Sequence, residues 1–126
     1  MSRRKSQNEH DEMIIALTSH LRHNGHKNVK ADIEGYMKPE MIVAGMAGGG
    51  FTPDVTSTNG KEFIFEVETS DSIDEPHTEA QWRSFSANSA EYKKNFVIVV
   101  PKGADKKARL RADALGIAIN DVWTVR

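Results

Sequence analysis

Asp54, Glu66 and Glu68 are the residues whose type and spacing could do chemistry. Glu66 and Glu68 lie two apart in Lys61-Glu62-Phe63-Ile64-Phe65-Glu66-Val67-Glu68-Thr69, whose aromatic and β-branched content reads as a strand. Strand side chains alternate, so Phe63, Phe65 and Val67 share one face while Ile64, Glu66 and Glu68 share the other. Asp54 is the second residue of a preceding strand run at 53–57, and Asn59-Gly60 between the two runs marks a hairpin turn. A two-residue turn would set Thr58 against Lys61 and Asp54 against Phe65, driving the acid into the core. A three-residue loop of Thr58-Asn59-Gly60, with Gly60 left-handed, sets Ser57 against Lys61, Val55 against Phe63 and Asp54 against Ile64. Because a one-residue slip exchanges the two faces, the apolar pattern predicts the longer loop and three carboxylates on one face.

Carboxylates brought together repel unless they share a proton or a cation. With no Cys in the chain, thiolate metal sites and thiol nucleophiles are excluded. Oxygen ligands suit hard divalent ions, Mg²⁺ or Mn²⁺, which take one or two carboxylates and keep several waters. Such an ion activates water and screens phosphate charge. The competing reading of the same alternation is a solvated strand face made acidic for solubility.

The remaining elements must hold this hairpin in place. Met13, Ile14, Leu17 and Leu21 recur at helical intervals until Asn24-Gly25, and Ser6 with Glu9 has capping-box spacing, which predicts a helix over 7–24 after a mobile basic tail at 1–6. A short strand is expected near 29–33. Pro76 opens a helix to about 93, with Trp82, Phe85, Ser89 and Tyr92 on its inner stripe. Residues 96–100 are apolar without alternation, the pattern of a strand buried on both faces beside parallel neighbours. A basic-faced helix over 104–115 ends at Gly116, followed by strand material at 117–119 and 122–125. The expectation is one α/β domain over 1–126, a mixed central sheet flanked by helices in the order α-β-β-β-α-β-α-β.

Pro53-Asp54, then Glu66-Val67-Glu68 after the hairpin, then Gln81-Trp82-Arg83-Ser84-Phe85 on the next helix resemble the PD-(D/E)XK nuclease superfamily. The likeness covers about residues 9–100, and the Gln81–Phe85 spacing is similar to the Q-h-x-x-Y motif of its RecB-like branch, with Phe in the Tyr place. The resemblance implies a restriction-endonuclease-like fold and metal-dependent hydrolysis of DNA phosphodiester bonds. It also implies Asp54 and Glu66 as ligands of Mg²⁺ or Mn²⁺, and Gln81 on the helix face looking at the metal. Glu68 stands where the family usually has Lys. There it could serve as general base or further metal contact, or its presence could mark a catalytically inactive module that binds nucleic acid or a protein. Arg83, Lys93 and Lys94 are cations that could replace the missing Lys. Glu9 or Glu12 could add a first-helix acid, with first-turn acids complementing the helix dipole as the alternative, and Asp32 and Glu34 on the first strand could support the site or be plain polar strand residues.

Several other groups invite a reading. His20, His23 and His26 resemble a metal cluster, but Gly25 should end the helix before His26 and deny them a fixed geometry. His77, Gln81, Ser84 and Asn88 form a polar stripe that could border the acids or simply be an exposed flank. Gly48-Gly49-Gly50 lacks the following Lys-Ser/Thr of a phosphate loop. Trp82 and Trp123 could stack on bases, with the core as the alternative for Trp82.

The chain of 126 residues carries 17 Lys and Arg against 18 Asp and Glu, unevenly spread: 1–30 hold six bases and three acids, 31–92 three and twelve, 93–126 eight and three. An acidic middle thus lies between basic flanks. Lys102, Lys106, Lys107, Arg109 and Arg111, with Arg3-Arg4-Lys5, are the candidates for phosphate contacts that give affinity without sequence readout. The expected ligand is DNA, with RNA as an alternative, and a second copy or a partner protein would supply recognition. The longest apolar run is far short of the roughly 20 residues of a membrane span, so the expected location is cytoplasmic and away from membranes.

Overall fold

The structure, a computed structural model, describes the backbone of residues 2–43 and 50–125 and the side chains of 7–43 and 50–125. Its elements are α1 (Ser2–His23), β1 (Lys27–Ala31), β2 (Val55–Thr58), β3 (Glu62–Val67), α2 (Pro76–Tyr92), β4 (Asn95–Pro101), α3 (Asp105–Leu115) and β5 (Asp121–Val125). The strands form one mixed sheet in spatial order β1-β2-β3-β4-β5, with β1, β2 and β3 antiparallel and β3, β4 and β5 parallel.

The sheet is covered on both sides. Met13, Ile14, Leu17 and Leu21 of α1 pack on Val55, Phe65, Val67, Val97 and Val99. Trp82 and Phe85 of α2, with Ala108 and Ala112 of α3, pack on Ile64, Phe96, Ile98 and Val100 of the opposite face. Central β4 therefore feeds both cores with alternate residues, which is why its sequence shows no polar alternation. Among the described residues no helix is long and apolar enough to cross a membrane.

Local signals account for the helix ends. Gly25 at φ +84 closes α1, where the His26 N–H donates to the Leu21 carbonyl at 3.0 Å. Pro76 occupies the first turn of α2, and Lys93 takes the left-handed position at its end with φ 56.

Five expectations need correction. Helix α1 begins at Ser2, so Ser6 lies inside it and does not cap it, and the segment expected as a basic tail is helical. The side chains of Arg3, Arg4 and Lys5, like residues 44–49 with Gly48-Gly49, lie outside the described set. Strand β1 starts two residues early because Asn28 at φ 52 allows a bulge between Lys27 and Lys30. No strand forms at 117–119, where Gly116 ends α3 and Ile117 turns into the core beneath it. Tyr92, expected on the inner stripe of α2, is 60% exposed, its ring beneath the Lys94 ammonium.

The fifth correction concerns the hairpin. Thr58 pairs with Glu62, Ser57 with Phe63 and Val55 with Phe65, leaving Asn59-Gly60-Lys61 as the loop, with Gly60 at φ +78. This register is two residues from the expected one. A two-residue shift preserves the alternation, so hydrophobic patterning does not distinguish the two pairings. Packing does, because the observed register sets fully buried Val55 against fully buried Phe65 and leaves half-buried Phe63 against Ser57. Asp54, one step beyond Val55, comes alongside Glu66.

Candidate active site

The acids lie where β3 runs out, at the carboxyl ends of the parallel strands β3 and β4, the end of an α/β sheet where ligands bind. Each holds the other in place. The Val67 N–H, facing the start of β2, donates to Asp54 Oδ2 at 2.8 Å, and the Asp54 N–H donates to Glu66 Oε1 at 3.3 Å. Pro53 precedes Asp54 and has no N–H to extend the ladder, so the Asp54 carboxylate takes over the next strand donor.

Glu66 and Glu68 are 2% and 4% exposed, which excludes a solvated acidic strand face. Burial, followed by the charges of Asp54 and Glu68, pushes Glu66 well above the ordinary carboxylate range. Glu68 has two neutral donors. Ser72 Oγ donates to its Oε1 at 2.6 Å and the Trp82 indole N–H to its Oε2 at 3.2 Å. Burial still outweighs those hydrogen bonds and, with the Asp54 charge, raises Glu68 to about 7.

The counter-charge comes from α1. His10 Nε2 lies 3.3 Å from Asp54 Oδ2, and its Nδ1 lies 3.6 Å from Asp11 Oδ1. Burial pulls the imidazolium down, but the hydrogen bond and charge of Asp54, then Asp11 and Glu68, outweigh it and raise His10 to about 9. The first-helix group at the site is thus His10 and not Glu9 or Glu12. A signal existed: His10 lies three and four positions before Met13 and Ile14, on the stripe that packs against the sheet. Glu9 and Glu12 are exposed. For Ser72 and Thr69, in the loop after β3, no signal is visible in the sequence.

These groups line a cavity of about 630 Å³ that also receives Gln81 and His77 from α2, as the stripe on that helix suggested. Ser84 is half-buried, and Asn88, farther along, lines a different cavity. Trp82 is core and fully buried. Trp123 is half-buried, with its ring near Phe65 and His20.

Other candidates are scattered. His26 Nδ1 is 2.8 Å from Ser57 Oγ while His20 meets the edge of Trp123, so the three histidines around Gly25 do not converge. Asp32 donates its backbone N–H to the Asp54 carbonyl, but its carboxylate and that of Glu34 belong to exposed residues. Arg83 pairs with Glu79 at 2.9 Å and Lys94 with Glu62 at 3.3 Å, so neither fills the place of the missing Lys, and Lys93 is exposed at the end of α2.

The cations of α3 do not form one patch. Lys107 donates to the Ser70 carbonyl at 2.7 Å and sits 3.3 Å from Asp74, a carboxylate that Arg111 approaches at 4.0 Å. Arg109 turns the other way, to Asp121 at 3.0 Å. Lys102 and Lys106 are exposed. The Lys107 bond ties α3 to the loop that carries Ser72.

Among the described residues no group of three or more His, Asp or Glu is arranged to hold a metal ion. Glu68 accepts from Ser72 through one oxygen and from Trp82 through the other. Asp54 and Glu66 remain as an adjacent carboxylate pair, sufficient for an ion that takes one or two carboxylates and keeps its waters. The raised Glu66 keeps its proton at a pH where an ordinary carboxylate has lost it, so Asp54 and Glu66 need not both be charged. No family model matches the chain, and neither a curated protein nor a solved structure does.

Proposed function

We propose that the chain is a divalent-metal-dependent nuclease that hydrolyses DNA phosphodiester bonds, with a restriction-endonuclease-like arrangement of its sheet and helices. The observation that carries the reading is the pair of interlocked carboxylates, Asp54 and Glu66, at the end of β3. They would hold Mg²⁺ or Mn²⁺. The bound ion would screen the phosphate and lower the pKa of a water.

The chain's own groups have separable tasks. The Val67 N–H fixes the orientation of Asp54, and the Asp54 N–H fixes that of Glu66. His10 Nε2 holds a proton against Asp54 and brings positive charge beside the carboxylate pair. Gln81 borders the cavity, able to orient a water or a phosphate oxygen. Glu68, for which the resemblance allows a general base or a further metal contact, accepts from Ser72 and Trp82 and so also holds these two side chains in place. Lys102 and Lys106 are exposed for contact with the DNA or RNA backbone; Lys107 and Arg109 reach it only by leaving Asp74 and Asp121. A second copy or a partner protein would add the recognition surface.

One observation favours a second reading. His10 already supplies a cation to Asp54, so the fold has an internal counter-charge and could serve as an inactive module that binds nucleic acid or a protein without metal. Two measurements decide. Labelled single-stranded, double-stranded and branched DNA is incubated with Mn²⁺ and wild-type or Asp54→Ala protein, and Mn²⁺ binding to both is followed by calorimetry. The nuclease reading expects cleavage and a Mn²⁺ isotherm that both vanish in Asp54→Ala. Metal-independent DNA binding without cleavage favours the module, and unchanged Mn²⁺ affinity in the variant removes the metal site.

A further inference from the structure

The polar stripe of α2 runs past the acids to a second cavity. It has a volume of about 610 Å³ and is lined by Thr56, Ile42, Ile64, Asn88, Lys30 and Lys94 among others. Its volume falls in the range of small-molecule sites, which join an apolar bed to a few polar groups. Ile42 and Ile64, both core residues, supply the apolar bed. Lys30 and Lys94 supply positive charge, each leaning on a carboxylate, Glu40 at 3.9 Å and Glu62 at 3.3 Å.

The informative residue is Asn88. It is 7% exposed, and its buried Oδ1 has no hydrogen-bond partner. A buried amide oxygen without a donor is unfavourable and unusual, because folded proteins pair nearly all such groups. The planar Asn88 amide carries an acceptor and a donor side by side, and rotation about χ2 exchanges their places. A planar ligand that is apolar on its faces and carries a donor beside an acceptor on its edge meets both demands. Adenine does so through N6–H and N7, the edge that Asn reads by two hydrogen bonds.

We infer that this cavity is a nucleobase subsite that receives an unpaired adenine, with Asn88 reading its edge. The subsite shares β2, β3 and α2 with the acids. Thr56 is two strand positions from Asp54, about 7 Å, so one nucleotide strand can engage both places. A base held in this way must leave its stack, which makes single-stranded or unpaired substrate the matching class. The choice of a nucleotide ligand rests on the phosphodiester reading, whereas the cavity and its unpartnered amide do not.

The test uses the full chain in metal-free buffer with EDTA, so that cleavage plays no part. Deoxyadenosine monophosphate and thymidine monophosphate are titrated into wild-type protein while the Asn88 side-chain NH₂ and the Thr56 and Lys94 amide signals are followed by NMR. The inference expects deoxyadenosine monophosphate to move these signals and to bind at least fivefold tighter than thymidine monophosphate. Asn88→Leu, which replaces the unpartnered amide with an apolar group, should keep the far-UV circular dichroism spectrum and lose the preference. Equal binding of the two nucleotides, or shifts that bypass Asn88 in the wild type, overturns the subsite whether or not the variant folds. A persistent adenine preference without Mn²⁺-dependent cleavage would leave the subsite standing and remove the nuclease reading. Cleavage without that preference does the opposite.

Discussion

Replacing Glu68 with Gln should stabilise the metal-free protein, and by an amount that depends on pH. Glu68 is 4% exposed, and burial and the Asp54 charge raise it to about 7 from an ordinary 4.5. A carboxyl raised in the folded state binds its proton more tightly there than in the unfolded chain. Stability is therefore lost as pH climbs from the unfolded value through the folded one. At about 1.36 kcal/mol per pKa unit, the gap from the ordinary 4.5 to about 7 amounts to about 3 kcal/mol once Glu68 is ionised at pH 8, and to less than about 1 kcal/mol at pH 5. Gln keeps the local hydrogen bonds, since its carbonyl accepts from the Trp82 indole and its NH₂ donates to Ser72 Oγ, the two groups that now hold the carboxylate. Urea unfolding of wild type and Glu68→Gln with EDTA at pH 5 and pH 8 measures the difference directly. The variant should gain about 2–3 kcal/mol more at pH 8 than at pH 5. A stability difference that is the same at both pH values, or a loss at pH 8, would refute the description of Glu68 as a buried acid held against its ionisation.

Trp82→Phe removes one of the two donors to Glu68 and should lower stability by about 1–3 kcal/mol in urea unfolding, while extending the loss of stability that begins above the ordinary 4.5 to a pH above about 7. His10 behaves in the opposite sense to a raised acid: its contribution is complete below its ordinary 6.5 and lost as pH rises through about 9. The stability gap between wild type and His10→Ala, up to about 3 kcal/mol at pH 6, should close by pH 10 in the same experiment. Lys93 holds φ 56 at the end of α2, so Lys93→Gly should raise stability by about 1 kcal/mol and the melting temperature by a few degrees.

How far the sequence could be read differs between elements for physical reasons. The double-faced burial of β4, the inner stripe of α1 and the ends marked by Gly25, Pro76 and Gly116 follow from side-chain period and from the few residues that tolerate special backbone angles. The shared face of Asp54, Glu66 and Glu68 follows from the same rule, because strand alternation survives any even shift of register. That rule could not choose between pairing Val55 with Phe63 and with Phe65, which differ by such a shift. The missing strand at 117–119 escaped for a related reason, that local propensity is overruled by what the segment packs against, here Ile117 turned into the core.

Composition and alternation thus determined that three acids lie together at one end of a β-hairpin in an α/β chain. Only the tertiary structure decided that Glu66 and Glu68 are buried rather than solvated, that Ser72 and Trp82 occupy the oxygens of Glu68, and that a histidine from the first helix faces Asp54. Alternation is a property of neighbouring residues. Desolvation and pairing of charge depend on segments far apart in the chain: His10 and Asp54 are separated by most of α1 and all of β1, and no local pattern encodes the layer that closes over them.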